Sequence, residues 1–282
     1  MTRVVDGASH TEAHALDVLV LGSGSSGNAV LIESAGTRVL VDAGLGPRVC
    51  AERLRRLGVD LFPRGVDALV VTHDHGDHAA HVLPLARSLK CPLWLHAGVR
   101  APKARARFAE AVVPLRRAEA RPLGALVVET HPLPHDAPNV AVRVSGPFGA
   151  FAYATDLGHA PRGLAAFLGA SDLVLLEANH CEELLEGGPY PERLKRRIAC
   201  DTGHLSNEQA GVLVAEMARF GEPLVALCHL SRTNNTPERA LAAVRARAPS
   251  ARVCVLDHGA TERLVVRAAS RRPPVQLSFA LA

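Results

Sequence analysis

The sequence predicts a mixed α/β (α+β) fold in which two β-sheets pack face to face beneath covering helices. Three features of its 282 residues lead there. Short apolar runs of strand length alternate with helically spaced segments from one end to the other. Strand-rich stretches lead each half, and no internal repeat or low-complexity linker divides the chain. Residues 1–282 therefore read as one domain, with 1–16 and 268–282 peripheral to it.

The elements follow in order. Asp17–Leu21, Ala29–Ile32 and Arg38–Val41 are three strands in quick succession, separated by Gly and Ser. Residues 47–57 carry helical spacing, with Pro47 at the first position, where a missing N–H costs nothing, and Gly58 as the stop. Val66–Val71 is a buried strand, followed by a helix near 79–89 and a strand at Pro92–Leu95. Strands at 125–130, 139–144, 149–154 and Asp172–Leu176 fill the centre. Ser206 and Gln209 form a capping box that opens a helix through Arg219. Pro223–Cys228 is a strand, Thr236-Pro237-Glu238 opens a helix to Arg247, and a strand at Arg252–Leu256 closes the series.

Composition narrows the class. Apolar content of 48% and charge of 21% are those of an ordinary soluble protein. Aromatics at 4% do not suggest an extended base-stacking surface, and a net charge of +4 selects neither nucleic acid nor membrane by itself. Six cysteines without a C-x-x-C pair point to reduced thiols. The first residues hold no secretory apolar core, and no apolar run approaches membrane-spanning length. The expectation is a cytoplasmic protein with no membrane span and no obligate protein partner.

Residues 72–78 read Thr-His-Asp-His-Gly-Asp-His, an H-x-H-x-D-H array of His73, His75, Asp77 and His78 at the end of a strand. Alternation points His73 and His75 to one side. Gly76 allows a sharp turn that returns Asp77 and His78 to the same space. Three imidazoles and a carboxylate suit borderline divalent metals. His135, Asp156 and His229 each follow a strand, where α/β folds assemble their sites. Together they complete two sites: His73, His75 and His135 for one ion, Asp77, His78 and His229 for the other, with Asp156 bridging. Two-metal hydrolases hold their ions about 3.5–4 Å apart. Zinc is favoured by the imidazoles, while the carboxylates admit manganese or iron.

The strand-rich start, Leu40-Val41-Asp42-Ala43-Gly44, the T-H-x-H-x-D-H array, the later His, Thr155-Asp156-Leu157-Gly158 and the last His occur in an order that resembles the metallo-β-lactamase-fold hydrolases over nearly the whole chain. That resemblance implies a four-layer αββα sandwich of the metallo-β-lactamase type, with metals at one edge of the sheets. It also places Asp42 as the buried acid behind the ligands. Gly22–Asn28, Leu176–His180, Tyr190-Pro191 with Leu194 to Ile198, Gly203–Asn207, and His229–Ser231 with Asn234–Pro237 are similar to the YycJ/WalJ branch, whose members are described as DNA exonucleases. Cys181 stands where that branch usually carries an acidic residue.

Expected substrate contacts are Ser25, Ser26 and Asn28, in a Gly/Ser loop able to cradle phosphate, together with Asn179, His180 and His204. His204 is also the expected proton donor, and Asp77 the other catalytic group. Residues 100–121 carry seven Arg/Lys (Arg100, Lys103, Arg105, Arg107, Arg116, Arg117, Arg121) against Glu110 and Glu119. Such a run is a solvated face by default and a backbone-tracking surface beside a phosphodiesterase site. The function expected is that of a binuclear metal-dependent hydrolase acting on nucleic acid, DNA above all, through a hydroxide held between the ions. A small-molecule hydrolase of thioesters, lactones, β-lactams or cyclic phosphodiesters is the alternative. A non-catalytic scaffold has no physical reason to keep all seven ligands.

Overall fold

The computed structural model describes residues 2–5, 15–96, 112–115, 119–259 and 261–267. The basic positions from Arg100 to Arg117 and the tail 268–282 lie outside the described residues. One sheet has eight strands: β1 (Thr2–Val5), β2 (Ala15–Gly22), β3 (Ala29–Ser34), β4 (Thr37–Val41), β5 (Ala68–Val71), β6 (Leu93–His96), β7 (Val112–Leu115) and β15 (Glu262–Arg267), in the order β1-β15-β2-β3-β4-β5-β6-β7. The other has seven: β8 (Ala120–Leu123), β9 (Leu126–Leu133), β10 (Asn139–Gly146), β11 (Gly149–Ala154), β12 (Leu173–Glu177), β13 (Leu224–Cys228) and β14 (Val253–Val255), in the order β14-β13-β12-β11-β10-β9-β8.

Side-chain alternation decides which layer each strand face meets. Leu16, Val18 and Val20 of β2 point inward with Ile32, Val41 and Val70, and they pack against Val142, Phe151, Tyr153 and Leu175 of the second sheet. Leu19 and Leu21 point outward, onto α1 (Pro47–Arg56) and α3 (Val82–Leu89) through Cys50, Leu54 and Leu85. On the far side, Ala154, Val174, Leu176 and Leu227 meet α4 (Leu164–Gly169), α7 (Asn207–Met217) and α8 (Pro237–Arg247) through Leu168, Leu213 and Val244. Strands with both faces covered read as nearly unbroken apolar runs, which is why β5, β12 and β13 stood out. The layers run helix, sheet, sheet, helix. No helix among the described residues is long and apolar enough to cross a membrane.

Several expectations need correction. Ala15 and Leu16, read as part of a peripheral stretch, open β2, and Leu16 is fully buried. The series does not close at Leu256, because β15 returns between β1 and β2 and contributes Leu264 and Val266 to the core. The helix expected near 79–89 is two: α2 (Gly76–Ala79) and α3. Two short helices, α5 (Glu182–Gly187) and α6 (Glu192–Ala199), lie between β12 and α7. The capping box at α7 forms as expected: Gln209 N donates to Ser206 Oγ (3.2 Å) and Ser206 N to Gln209 Oε1 (2.8 Å).

The feature that matters for function is direction. β4, β5 and β6 are mutually parallel, as are β11, β12 and β13. Their carboxyl ends therefore deliver Asp42, Thr72–His78, Asp156, Glu177 and His229 to one edge of the two sheets.

Candidate metal centre

Three residues at this edge have positive φ although none is glycine: Asp42 (66°), Asp156 (62°) and His229 (56°). Each follows a strand, and the left-handed bend throws its side chain sideways at a cost on the order of 1–2 kcal/mol. Other groups hold the bends in place. Asn139 Nδ2 donates to the carbonyls of both Thr155 and Asp156, each at 2.8 Å. Ser23 Oγ accepts from His229 N (2.9 Å), and Asn179 Nδ2 donates to His229 O (3.0 Å).

The structure brings all seven expected ligands together. Donor atoms of His73, His75 and His135 lie within 4.8 Å of one another, as do those of Asp77, His78 and His229, and those of His73, His78 and Asp156. Two donors each ~2.1 Å from a tetrahedral ion stand about 3.4 Å apart. The observed pairs bracket that value: His78 Nε2–Asp156 Oδ2 2.9 Å, His135 Nε2–His75 Nδ1 3.2 Å, His229 Nε2–Asp77 Oδ2 3.5 Å and His229 Nε2–Asp156 Oδ1 3.7 Å. His73 Nε2, His229 Nε2 and Asp156 Oδ2 are buried without a properly aligned hydrogen bond. Buried polar atoms are rarely left so, and cations held by the His73 and His229 groups, with Asp156 between them, would satisfy all three. The donor set fits divalent metal.

Behind each imidazole a partner engages its other nitrogen and sets the tautomer. Asp42 Oδ2 accepts from His78 Nδ1 (2.6 Å), and Oδ1 accepts from Thr72 N and Oγ1, both at 2.9 Å. Thr72 Oγ1 in turn meets His73 Nδ1 (3.1 Å). His135 Nδ1 donates to Gly203 O (3.1 Å), and His75 Nε2 to Asp136 Oδ1 (3.1 Å). Asp136 is itself gripped by Arg197 Nε (3.0 Å) and Nη2 (2.7 Å). Glu177, fully buried, accepts through Oε1 from His229 Nδ1 (3.0 Å) and His204 Nδ1 (2.7 Å). Glu177 lay inside the Leu176–His180 segment of the resemblance but was given no role, and Asp136 and Asn139 were not singled out from sequence. A further signal was the carboxylate that closes the otherwise apolar run Leu173–Glu177.

Charge follows from these contacts. Burial first, and then the neighbouring His78, drives the His73 pKa down to about 2, which keeps that imidazole neutral. Burial alone would lower His78 too, but Asp42 and Asp156 outweigh it and hold His78 at about 10. Burial works against ionisation of Asp77 and Glu177, yet the hydrogen bond and charge of surrounding histidines bring each down to about 2. For His204, burial is outweighed by Glu177, and its pKa rises.

A cavity of about 470 Å³ opens over the cluster, lined at its floor by His75, Asp77, His135, Asp156, His204 and His229. Of the expected substrate contacts, Ser25, Asn179 and His204 line it. Ser26 is exposed outside the lining, and His180 is buried, its pKa pushed down to about 4 by burial. Asn28 is also buried, because its side chain faces inward to brace the ligands: Nδ2 lies 2.8 Å from His78 Nε2, and Oδ1 accepts from Gly24 N (2.8 Å). The Gly/Ser loop is thus mainly a brace for the ligands. Gly76, expected at a sharp turn, instead begins α2, and one turn of helix carries Asp77 and His78 back.

Residues 37–230 match the beta-lactamase superfamily domain. The chain belongs to that superfamily. Within it, the chain is 31% identical over 229 residues to the exodeoxyribonuclease WalJ of Streptococcus pneumoniae, covering 78% of this chain and 84% of that one. It is 28% identical over 233 residues to the exodeoxyribonuclease YycJ of Bacillus anthracis, with the same coverage. Among solved structures, the metallo-β-lactamase-fold protein YhfI of Bacillus subtilis superposes with a TM-score of 0.67 at 17% identity, covering 88% of this chain and 99% of that one. The four layers are therefore those of the metallo-β-lactamase fold. In this superfamily member the divalent-metal binding that the fold implies has its candidate ligands in the His/Asp cluster.

Proposed function

We propose that the protein is a metal-dependent phosphodiesterase that degrades DNA from an end. The observation that carries this reading is the seven-donor cluster at the floor of an open cavity, in a chain 31% identical to an exodeoxyribonuclease over most of its length. We assign two ions, zinc on the strength of five imidazoles, with manganese compatible with the carboxylates. His73, His75 and His135 would hold one, Asp77, His78 and His229 the other, and Asp156 both. When bound, such ions lower the pKa of water and neutralise charge developing on a phosphoryl group.

The chain's own groups supply orientation and proton transfer. Asp77 and Asp156 present carboxylates toward the cavity and are ionised by their histidine neighbours, so either can accept a hydrogen bond from an attacking water. His204 donates Nδ1 to Glu177, which leaves its Nε2 edge on the cavity side. Glu177 favours the protonated ring, so His204 is placed to give a proton to the leaving oxygen. Both sheets contribute ligands, and the whole chain acts as one catalytic domain.

The test is degradation of end-labelled single- and double-stranded DNA and RNA by protein stripped of metal and then given Zn²⁺, Mn²⁺ or Mg²⁺. Stepwise shortening of DNA with metal added back, and two ions per chain by elemental analysis, are expected. No DNA hydrolysis with any metal would overturn the reading.

A further inference from the structure

The cavity lining combines two unlike sets of residues. Above the polar floor, its wall is Tyr190, Leu194, Ile198 and Leu230, with Arg232 on the same lining. Leu194 and Ile198 are one turn apart on α6, a helix none of whose residues is buried. Its apolar pair faces the cavity instead of the core. The helix is held over the site at two points: Arg197 grips Asp136, and His204 N donates to Ile198 O (2.9 Å). A Cβ on Gly203 would collide with the carbonyls of Arg197 and Ile198, so the tight return to His204 depends on glycine there. Tyr190 is half-buried, and its hydroxyl reaches Thr233 Oγ1 (3.2 Å), tying the ring to the loop after β13. Among the described residues it is the one aromatic in the lining besides histidines. Arg197 is already paired, whereas Arg232 is exposed and has neither hydrogen bond nor ion pair among the described residues.

We propose that this wall is the seat of a single unpaired nucleobase at the DNA end, stacked on Tyr190 beside Leu194 and Ile198, and that Arg232 pairs with the adjoining phosphate. The proposal rests on the phosphodiesterase reading and adds what selects the substrate. An apolar wall with one flat ring suits a base face, and an exposed guanidinium suits a phosphate. Asn179 and Ser231, also in the lining, offer polar groups to the base edge. In a duplex that edge is taken by the complementary base, so the protein prefers single-stranded or frayed ends.

The experiment uses the full chain with metal restored and two single-stranded oligonucleotides, alike except that one ends in a tetrahydrofuran abasic residue. Wild type should cleave the base-bearing end with a kcat/KM roughly 10- to 100-fold higher, as stacking of one base supplies. Tyr190→Leu should collapse that ratio to near one, and Tyr190→Phe should restore it. Arg232→Gln should raise KM for both oligonucleotides and flatten the salt dependence of binding. Equal cleavage of both ends by wild type, or a ratio unmoved in Tyr190→Leu, overturns the base seat while leaving the nuclease standing. Cleavage of neither oligonucleotide overturns the nuclease reading and this one with it.

Discussion

Glu177 serves two histidines with one oxygen, and its two contacts have separable consequences. On His229 it orients a ligand, and on His204 it favours the protonated ring. Glu177→Gln keeps the shape but removes the charge, so metal affinity should fall about 10- to 100-fold and turnover should fall as well. His204→Ala should leave metal content intact and lower turnover by roughly 10²- to 10⁴-fold, the usual share of a placed proton donor. Elemental analysis beside steady-state kinetics separates the two. Metal loss in His204→Ala would make that residue a ligand, and unchanged metal content in Glu177→Gln would reduce Glu177 to a positioning group for His204 alone.

At the scale of elements, two glycines near the cluster make opposite demands. Gly44 lies where β4 meets the returning α2, and a Cβ there would collide with the carbonyl oxygen of Asp77 and the backbone N of Asn28. Nothing lies within 4 Å of a Cβ on Gly76. Gly44→Ala should therefore displace Asp77 and lower both metal content and activity, whereas Gly76→Ala should bind metal as wild type does and, as a helical Gly→Ala change, raise stability by a few tenths to ~1 kcal/mol. Thermal melts and metal analysis of the pair decide it. The contrast also shows how far the sequence could be read. His73 to His78, His135, Asp156 and His229 were legible because ligand chemistry is dense in one motif and recurs at strand ends. Asp42 came from the wider resemblance. Glu177, Asp136 and Asn139 were not, since their roles arise from sheet register and loop packing that join distant residues. β15 was missed because Glu262–Arg267 has only a short apolar centre, and α6 because only Leu194 and Ile198 mark its period.

For the whole molecule, the cluster is a junction between sheets. His73, His75, Asp77 and His78 come from the eight-stranded sheet, and His135, Asp156 and His229 from the seven-stranded one. Any ligand that binds the folded state alone stabilises it by mass action. Chelation should lower the melting temperature, and metal should restore it. Asp156→Ala, which removes the carboxylate common to the groups from both sheets, should melt lower than wild type in metal and show a smaller shift on chelation. A melting point indifferent to chelator in wild type would contradict this account.

The same junction also sets an order of assembly. His229 follows β13, and β13 lies between β12 and β14 in the second sheet. A chain still on the ribosome presents the His73–His78 array long before His229, its backbone clamp from Ser23, or the Glu177 contact to it exists. A chain assembled in this order holds the full set of seven ligands only once β13 has emerged and joined the sheet.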